Sequence, residues 1–205
     1  MAAPETPAFG GPALKKLVLA STSRYRRELL QRFGLEFDCE APGVEEDPRA
    51  GETPLALAQR LAAAKAEAVA LRHPHAVVIG SDQVAELDGQ ALGKPGDHAA
   101  AIAQLRVCRG QEVTFHTAVC VIDARRNAPI AFIDTTRVRF RGLSEDEIER
   151  YLVAERPYDC AGSFKSEGLG AVLFESICNE DPTALIGLPL IALADALRRC
   201  GYRLP

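Results

Sequence analysis

Apolar runs alternate with amphipathic stretches along this chain, and their periods predict both strands and helices. Two short runs, LVLA at residues 17–20 and AVVIG at residues 76–80, have the composition of buried strands. Two longer β-rich runs, residues 111–123 and 129–141, flank an Arg-Arg-Asn turn and predict an antiparallel hairpin. The pattern is typical of an α/β fold with a large antiparallel component.

Helices are predicted where a capping residue precedes apolar positions at helical spacing. The five predicted helices span residues 23–33, 53–72, 97–108, 144–154 and 188–199. Gly34 ends the first, Thr53-Pro54 begins the second, and Ser144 with Glu147 forms a capping box. Between them we expect a short strand at 35–40, an acidic loop at 41–53, a hairpin turn at 87–89 and a glycine-rich segment after the fourth helix.

Length, composition and charge indicate one globular domain. The 205 residues are 47% hydrophobic, enough to bury a substantial core, and we expect a single domain over residues 15–205. Residues 1–14 lack the basic and apolar regions of a signal peptide and are predicted to be a flexible lead-in. The net charge of −4 argues against duplex nucleic acid as a partner.

Cysteine and hydropathy patterns predict a soluble, cytoplasmic protein. The six cysteines form no C-x-x-C pair, which favours reduced thiols over a disulfide framework or a zinc site. The most apolar window, residues 184–197, is too short for a membrane span and is interrupted by Gly187 and Pro189. We therefore expect no membrane partner.

The segment LVLASTSRYRRELL at residues 17–30 is the first candidate site. A buried strand leads into Ser21 and then a helix start rich in arginine. Free backbone N–H groups, the helix dipole and guanidinium groups such as Arg26 all favour an anion, and phosphate fits best. The alternative is an ordinary helix cap at Ser21 or Ser23, followed by a solvated basic face.

Asp82 is the second candidate, because it follows the apolar run at 76–80, where α/β proteins place ligands beyond strand ends. The alternative is an aspartate that starts a turn. An aspartate with a pKa of about 3.9 is a weak base, but a divalent cation makes water easier to deprotonate. Glu45 and Glu46 are candidate cation ligands, and Arg26, Lys65 and Lys94 are candidates to neutralise phosphate. The chemistry indicated is metal-assisted hydrolysis at phosphorus.

The segment AGSFKSEG at residues 161–168 is the third candidate, since its polar run between glycines cannot be core. The alternative is a surface loop. Familiar phosphate and hydrolase motifs are missing: residues 89–95 lack the Ser or Thr of a Walker A loop, and G-x-G-x-x-G, H-E-x-x-H and G-x-S-x-G do not occur.

Taken together, these segments resemble the Maf family of nucleoside triphosphate pyrophosphatases. The matching pieces are LASTSRYRRELL, the Glu-Glu pair, IGSDQV with a downstream GKP, AGSFKSEG and GLPL, in that order from Leu17 onward. The resemblance implies a long curved mixed β-sheet with flanking helices, like the inosine triphosphatase group, and a possible homodimer. It also implies a divalent cation, Mg²⁺ or Mn²⁺, and hydrolysis of a nucleotide substrate to the monophosphate and pyrophosphate.

The resemblance also implies roles for individual residues. Asp82 takes the position of the general base and, with Glu46, of the metal-proximal acids. The substrate-binding positions that it implies are Ser21, Tyr25, Arg26, Lys65, Gln83, Lys94 and Glu167. Among these, Tyr25, Gln83 and Glu167 are the positions implied to select the base.

The version of the motif in this chain looks like the branch that hydrolyses 7-methyl-GTP. Most of the family carries Gln where this chain has Glu167, and Pro-Arg where it has Arg24-Tyr25. Methylation at N7 makes the guanine ring cationic, so Glu167 can pair with its charge and Tyr25 can stack on its face. The branch normally carries Pro-Trp in place of Arg24-Tyr25, which is a departure in this chain.

Other functions stay open at this stage. A dTTP/UTP pyrophosphatase would keep the chemistry, although Glu167 in place of Gln argues against it. A cell-division regulatory protein would not need Arg26, Asp82 and Lys94 together, and an RNA-cap-binding protein would recognise the base without hydrolysis.

Overall fold

The computed structural model describes residues 15–205, so the predicted lead-in at residues 1–14 lies outside the described part of the chain. The strands are β1 (Leu17–Leu19), β2 (Asp38–Cys39), β3 (Val77–Leu87), β4 (Gln90–Leu92), β5 (Glu112–Asp123), β6 (Ile130–Phe140) and β7 (Phe174–Cys178). The helices are α1 (Arg24–Gln31), α2 (Pro54–Ala70), α3 (His98–Cys108), α4 (Glu145–Glu155) and α5 (Leu190–Arg199). All five predicted helices are confirmed, with ends that differ by a few residues.

The strands form one mixed seven-stranded sheet in the order β2-β1-β3-β5-β6-β7, with β4 also paired to β3. β1 runs parallel to both β2 and β3, whereas β3, β5, β6 and β7 pair antiparallel. This arrangement confirms the predicted mixed sheet with flanking helices and its large antiparallel part. β7 was not predicted, because it lies in the glycine-rich segment and its side chains are mostly exposed, so no apolar alternation marks it.

The central strand β3 is longer than predicted, and this corrects the position of Asp82. We expected the strand to end at Gly80 and Asp82 to follow it, but the strand continues to Leu87 and Asp82 pairs with Ala118 of β5. Ser, Asp and Gln favour turns in isolation. The long ladder to β5 overrides that local preference, since ten consecutive residues of β3 have partners in β5.

A gap along one edge of β3 positions the site. β1 pairs with β3 as far as Ile79, and β4 takes over only at Ala85. Residues 80–84 therefore have β5 on one side and no strand on the other, within the part of the chain that the structure describes. Asp82 thus lies beyond the end of the parallel neighbour β1, although it is inside β3.

Helices cover both faces of the sheet. α2 packs over one face, where its Leu61 and Ala62 share a buried hydrophobic cluster with Val84 and Ala118. α1 and α5 share a second cluster of buried side chains with β1 and with the first residues of β3. α3 and α4 enclose a third cluster built around Phe115 and Phe140.

Local sequence signals are confirmed at several turns and caps. The β3–β4 hairpin turns through Asp88 (φ 50°) and Gly89 (φ 78°), as a primed turn requires. The capping box at Ser144 and Glu147 is present, and Thr53 and Asp97 cap α2 and α3. The six cysteines are free thiols. None of the helices in residues 15–205 combines the length and apolar character needed to span a bilayer.

Candidate active site

A cavity of about 800 Å³ opens beside the unpaired edge of β3. Its walls come from the β1–α1 turn, the acidic loop, α2, β3, the β4–α3 loop, residues 159–167 and residues 185–187. The nine residues to which the family resemblance gives a role all line it: Ser21, Tyr25, Arg26, Glu46, Lys65, Asp82, Gln83, Lys94 and Glu167. Glu45 does not line it. The structure therefore brings together residues that are up to 146 positions apart in the chain.

The α1 N-terminus forms one wall of the cavity. Ser23 is its N-cap, and its hydroxyl accepts from the Arg26 N–H at 3.4 Å. The hydroxyl oxygen of the buried Ser21 accepts from the Ser23 N–H at 3.1 Å, which fixes the turn between β1 and α1. Of the two candidate caps, Ser23 is the one observed, and Ser21 orders the turn before it.

Arg26 is held from the opposite side of the cavity. Its Nε donates to the carbonyl of Gly187 at 3.0 Å, and that carbonyl also accepts from the Ser81 hydroxyl at 3.1 Å. The terminal guanidinium nitrogens make no hydrogen bond within residues 15–205 and so can serve an anion. Burial lowers the pKa of Arg26, while the carboxylates of Asp82 and Glu46 oppose the shift.

Lys65 joins the two acids of the site. Its Nζ lies 2.6 Å from Asp82 Oδ1 and 2.6 Å from Glu46 Oε1. Lys65 and Asp82 are buried, whereas the Glu46 side chain is 54% exposed. Desolvation raises the pKa of Glu46, but the Lys65 hydrogen bond and the charges of Lys65, Lys94 and Arg26 outweigh it and lower that pKa overall. Glu46 is therefore a carboxylate at neutral pH.

The alternation of β3 sends its side chains to opposite faces of the sheet. Asp82 faces α2, where it meets Lys65. Gln83 faces the turn before α5, where its Nε2 donates to the carbonyls of Ala184 and Leu185 at 2.9 and 3.1 Å. A third contact, at 2.9 Å to the Thr117 hydroxyl, uses the same nitrogen. The amide nitrogen of Gln83 therefore holds the backbone of that turn, which leaves its oxygen for a ligand.

Tyr25 and Glu167 lie on the same cavity as the cations. The Tyr25 ring is partly buried, and its hydroxyl accepts from Arg24 Nη2 at 2.7 Å and from the Cys160 thiol at 3.7 Å. Burial raises the pKa of Tyr25 to about 12, although the Arg24 hydrogen bond opposes the shift. Glu167 is exposed and accepts only from the Ser166 hydroxyl, at 3.3 Å, within residues 15–205.

Three positions that the sequence analysis did not single out hold the loop that carries Glu167. Lys165 Nζ donates to the carbonyl of Glu155 at 3.1 Å, and Glu155 Oε2 accepts from the Leu169 N–H at 2.8 Å. Phe164 packs edge-to-face against Phe174, with ring centroids 4.8 Å apart. Lys165 and Phe164 lie inside the AGSFKSEG motif, but Glu155 ends an amphipathic helix and carries no signal of this role.

Gln104 of α3 connects the loop that carries Lys94 to the loop that carries Glu167. Its Nε2 donates to the carbonyl of Gly93 at 2.9 Å, next to Lys94, and its Oε1 accepts from the Ser163 hydroxyl. Because a carbonyl can only accept, these partners fix the orientation of the amide. Ser163 is fully buried and has φ of 60°, a left-handed conformation that needs such support. No sequence pattern marks Gln104.

The acids of the cavity fit a divalent cation that arrives with phosphate. Residues 15–205 contain no group of three or more His, Cys, Asp or Glu side chains placed to bind a metal. Asp82 and Glu46 each use one carboxylate oxygen for Lys65, and Oδ2 and Oε2 have no hydrogen bond within those residues. Mg²⁺ is commonly held by one or two carboxylates together with substrate phosphates and water. Two free carboxylate oxygens suit that mode of binding.

The chain is similar to curated proteins over most of its length. A relative from Xanthomonas oryzae, called 7-methyl-GTP pyrophosphatase, is 60% identical over 192 residues, which are 94% of this chain and all of that protein. Proteins of the same name from Polaromonas and Burkholderia pseudomallei are 58% and 57% identical. The match to the Polaromonas protein covers 94% of this chain and 88% of that protein. The match to the Burkholderia pseudomallei protein covers 92% of this chain and 89% of that protein.

The fold has a counterpart among solved structures. The Staphylococcus aureus Ham1 protein superposes with a TM-score of 0.52 and 15% identity, over 92% of this chain and all of that one. At that identity the likeness concerns the fold alone. The family model described as Maf-like protein matches residues 16–200, which span the sheet, its helices and the cavity. The chain belongs to the Maf family.

Proposed function

We propose that this chain is a nucleoside triphosphate pyrophosphatase that hydrolyses 7-methyl-GTP to 7-methyl-GMP and pyrophosphate, which keeps modified nucleotides out of nucleic acids. The observation that carries the proposal is a single cavity that joins Arg26, Lys65 and Lys94 to Tyr25 and Glu167. Cations at one end suit a triphosphate, and an aromatic ring with a carboxylate suits a positively charged base. The names of the relatives support the same substrate.

The triphosphate end uses Ser21, Arg26 and Lys94. The free guanidinium nitrogens of Arg26 and the exposed ammonium of Lys94 bind phosphate oxygens, and the α1 N-terminus adds its dipole. Ser21 shapes the turn that carries them. Lys65 holds Asp82 and Glu46 close together, with its Nζ 2.6 Å from a carboxylate oxygen of each.

Asp82 is the general base of the proposed reaction. A water oxygen attacks the α-phosphorus, the bond from that phosphorus to the bridging oxygen breaks, and pyrophosphate leaves with both bonding electrons. Asp82 takes the proton of the water. Asp82 and Glu46, together with the phosphates, would hold a divalent cation, Mg²⁺ or Mn²⁺, which would supply charge neutralisation and a lower pKa for a bound water.

Base selection rests on Tyr25 and Glu167, with Gln83 beside them. The Tyr25 ring offers a face to the cationic methylated guanine, and Glu167 offers a negative charge to it. Gln83 contributes its amide oxygen, since its nitrogen is held by the turn before α5. A neutral pyrimidine gains neither the cation–π contact nor the ion pair.

A substrate panel tests the proposal. Purified protein with Mg²⁺ or Mn²⁺ is given 7-methyl-GTP, GTP, dTTP or UTP, and released pyrophosphate is measured. We expect the highest kcat/KM on 7-methyl-GTP, no hydrolysis without a divalent cation, and at least about a 100-fold loss in Asp82→Asn. Turnover of dTTP equal to that of 7-methyl-GTP would contradict the proposed substrate preference. Nucleotide binding without release of pyrophosphate would contradict the proposed hydrolytic activity.

The cellular setting of the proposal follows from its substrate. Free nucleotides of this kind occur in the cytoplasm, so we place the enzyme there. A homodimer stays a prediction, and light scattering of the purified protein measures it directly.

A further inference from the structure

Arg24 already occupies the ring that the proposed base has to use. Its Cζ lies 4.7 Å from the centroid of the Tyr25 ring, within cation–π distance. Its Nη2 also donates to the Tyr25 hydroxyl at 2.7 Å, which tethers the guanidinium to that ring. Both residues line the cavity, and Arg24 forms no salt bridge within residues 15–205. The aromatic ring is thus the main partner of this arginine.

We propose that Arg24 is a specificity-determining residue that competes with a cationic base for Tyr25. This inference rests on the proposed function, because it concerns the choice between methylated and neutral guanine in that site. A 7-methylguanine ring that stacks on Tyr25 either displaces the guanidinium or shares the ring with it. Displacement costs the existing contact and hydrogen bond, and sharing brings two positive charges onto one ring. Both outcomes weaken the binding of the cationic base.

Arg24 affects the binding of neutral guanine less than that of the methylated base. Neutral guanine carries no charge for Arg24 to repel, and a guanidinium can stay on the ring beside it. Arg24 therefore narrows the difference in affinity between 7-methyl-GTP and GTP. Removal of its charge should widen that difference, so this site gains selectivity when a basic residue is lost.

Replacement of Arg24 by a neutral side chain of similar reach tests the competition. In Arg24→Gln we expect the ratio of kcat/KM for 7-methyl-GTP to that for GTP to rise by about threefold to tenfold, mainly through a lower KM for the methylated nucleotide. Arg27→Gln is the matched control. It removes the same charge from the same helix, and Arg27 does not line the cavity. Its ratio should stay at the wild-type value.

Tyr25 variants separate the ring from its tether. Tyr25→Phe keeps the ring and removes the hydroxyl that holds Arg24, so the ratio should rise, by less than in Arg24→Gln. In a Tyr25→Leu background, Arg24→Gln should leave the ratio unchanged, because there is no ring to compete for. Circular dichroism melting of each variant verifies that it is folded.

The outcomes for Arg24 and for the proposed function are distinguishable. An unchanged or lower ratio in Arg24→Gln overturns the competition, even if the wild type hydrolyses 7-methyl-GTP as proposed. If the wild type hydrolyses neither nucleotide, the proposed function fails, and equilibrium binding of 7-methyl-GMP and GMP then tests Arg24 alone. The affinity for 7-methyl-GMP divided by that for GMP is then compared between Arg24→Gln and the wild type. A higher ratio in the variant supports the competition, and an unchanged or lower ratio overturns it.

Discussion

The central residue of the site is Lys65, a buried cation that two carboxylates share. A buried lysine is stable as a cation only with a partner, and Asp82 supplies one at 2.6 Å from the interior side of the cavity. Glu46 supplies the other from the acidic loop, at 2.6 Å and in contact with solvent. The loop is therefore attached to the sheet through one ammonium group, so loss of Lys65 affects both the charge balance and the loop.

Lys65→Met keeps the volume of the side chain and removes its charge. We expect kcat/KM to fall by at least about 100-fold, because Asp82 and Glu46 then repel each other and the phosphates. We also expect the free energy of unfolding in urea to fall by about 2–4 kcal/mol, less than for a fully buried pair because Glu46 is 54% exposed.

Two further variants define the origin of that effect. Lys16→Met is the matched control, because its salt bridge to Asp38 lies at the surface with both side chains more than half exposed, and it should change neither quantity measurably. Lys65→Met with Asp82→Asn should recover part of the stability and none of the activity. If the double variant is less stable than Lys65→Met, the unpaired buried charge is not the cause.

At the scale of elements, α3 connects the two loops that carry Lys94 and Glu167. Gln104 donates to Gly93, beside Lys94, and accepts from Ser163, in the loop that carries Glu167. A second connection runs from the Gly96 N–H to the carbonyl of Tyr158 at 3.0 Å. The loops that carry Lys94 and Glu167 are thus connected through Gln104 of α3 and through one direct backbone hydrogen bond.

Gln104→Leu removes both hydrogen bonds with little change in volume. We expect the free energy of unfolding to fall by about 1–2 kcal/mol and KM for the nucleotide to rise several-fold with a smaller change in kcat, since the two loops no longer bind substrate in one geometry. Gln104→Glu keeps the acceptor for Ser163 and loses the donor to Gly93, so its effect should be intermediate. Gln59→Leu, on an exposed turn of α2, is the control. A fall in kcat alone would contradict the positioning role.

Sequence patterns predicted the elements better than they predicted the contacts between them. Caps and periodicity located the helices, and the family resemblance named nine residues that line one cavity. The continuation of β3 past Gly80 depends on pairing with β5, which is more than thirty residues away, so local turn preferences misplaced Asp82. The hydrogen bonds of Gln104 and Glu155 and the contact of Arg24 with Tyr25 depend on side-chain conformations in the folded chain. No sequence spacing predicts them.

For the whole molecule, the packing of α2 on the sheet brings Lys65 and Asp82 into contact. Gly80 precedes Asp82 by two residues, so both face α2, and Lys65 lies on the same turn of α2 as Ala62 and Ala66. A β-carbon at Gly80 would lie 2.2 Å from the carbonyl oxygen of Ala62 and 2.5 Å from the nitrogen of Ala66. The helix therefore approaches the sheet as closely as it does only because residue 80 has no side chain.

Gly80→Ala should separate α2 from β3 and so move Lys65 away from Asp82. The clash is with backbone atoms, which cannot rotate aside, and we expect a loss of about 3 kcal/mol or more in the free energy of unfolding. Activity should fall further than the fraction of unfolded protein explains, because the 2.6 Å contact at Asp82 lengthens in the molecules that stay folded. Gly142→Ala is the control, since a β-carbon there has no neighbour within 4 Å. Urea titration followed by single-turnover hydrolysis at the same temperature measures both effects. If the folded fraction of Gly80→Ala kept full specific activity, the site would tolerate a displaced α2. The close packing of that helix would then not be needed to place Lys65 beside Asp82.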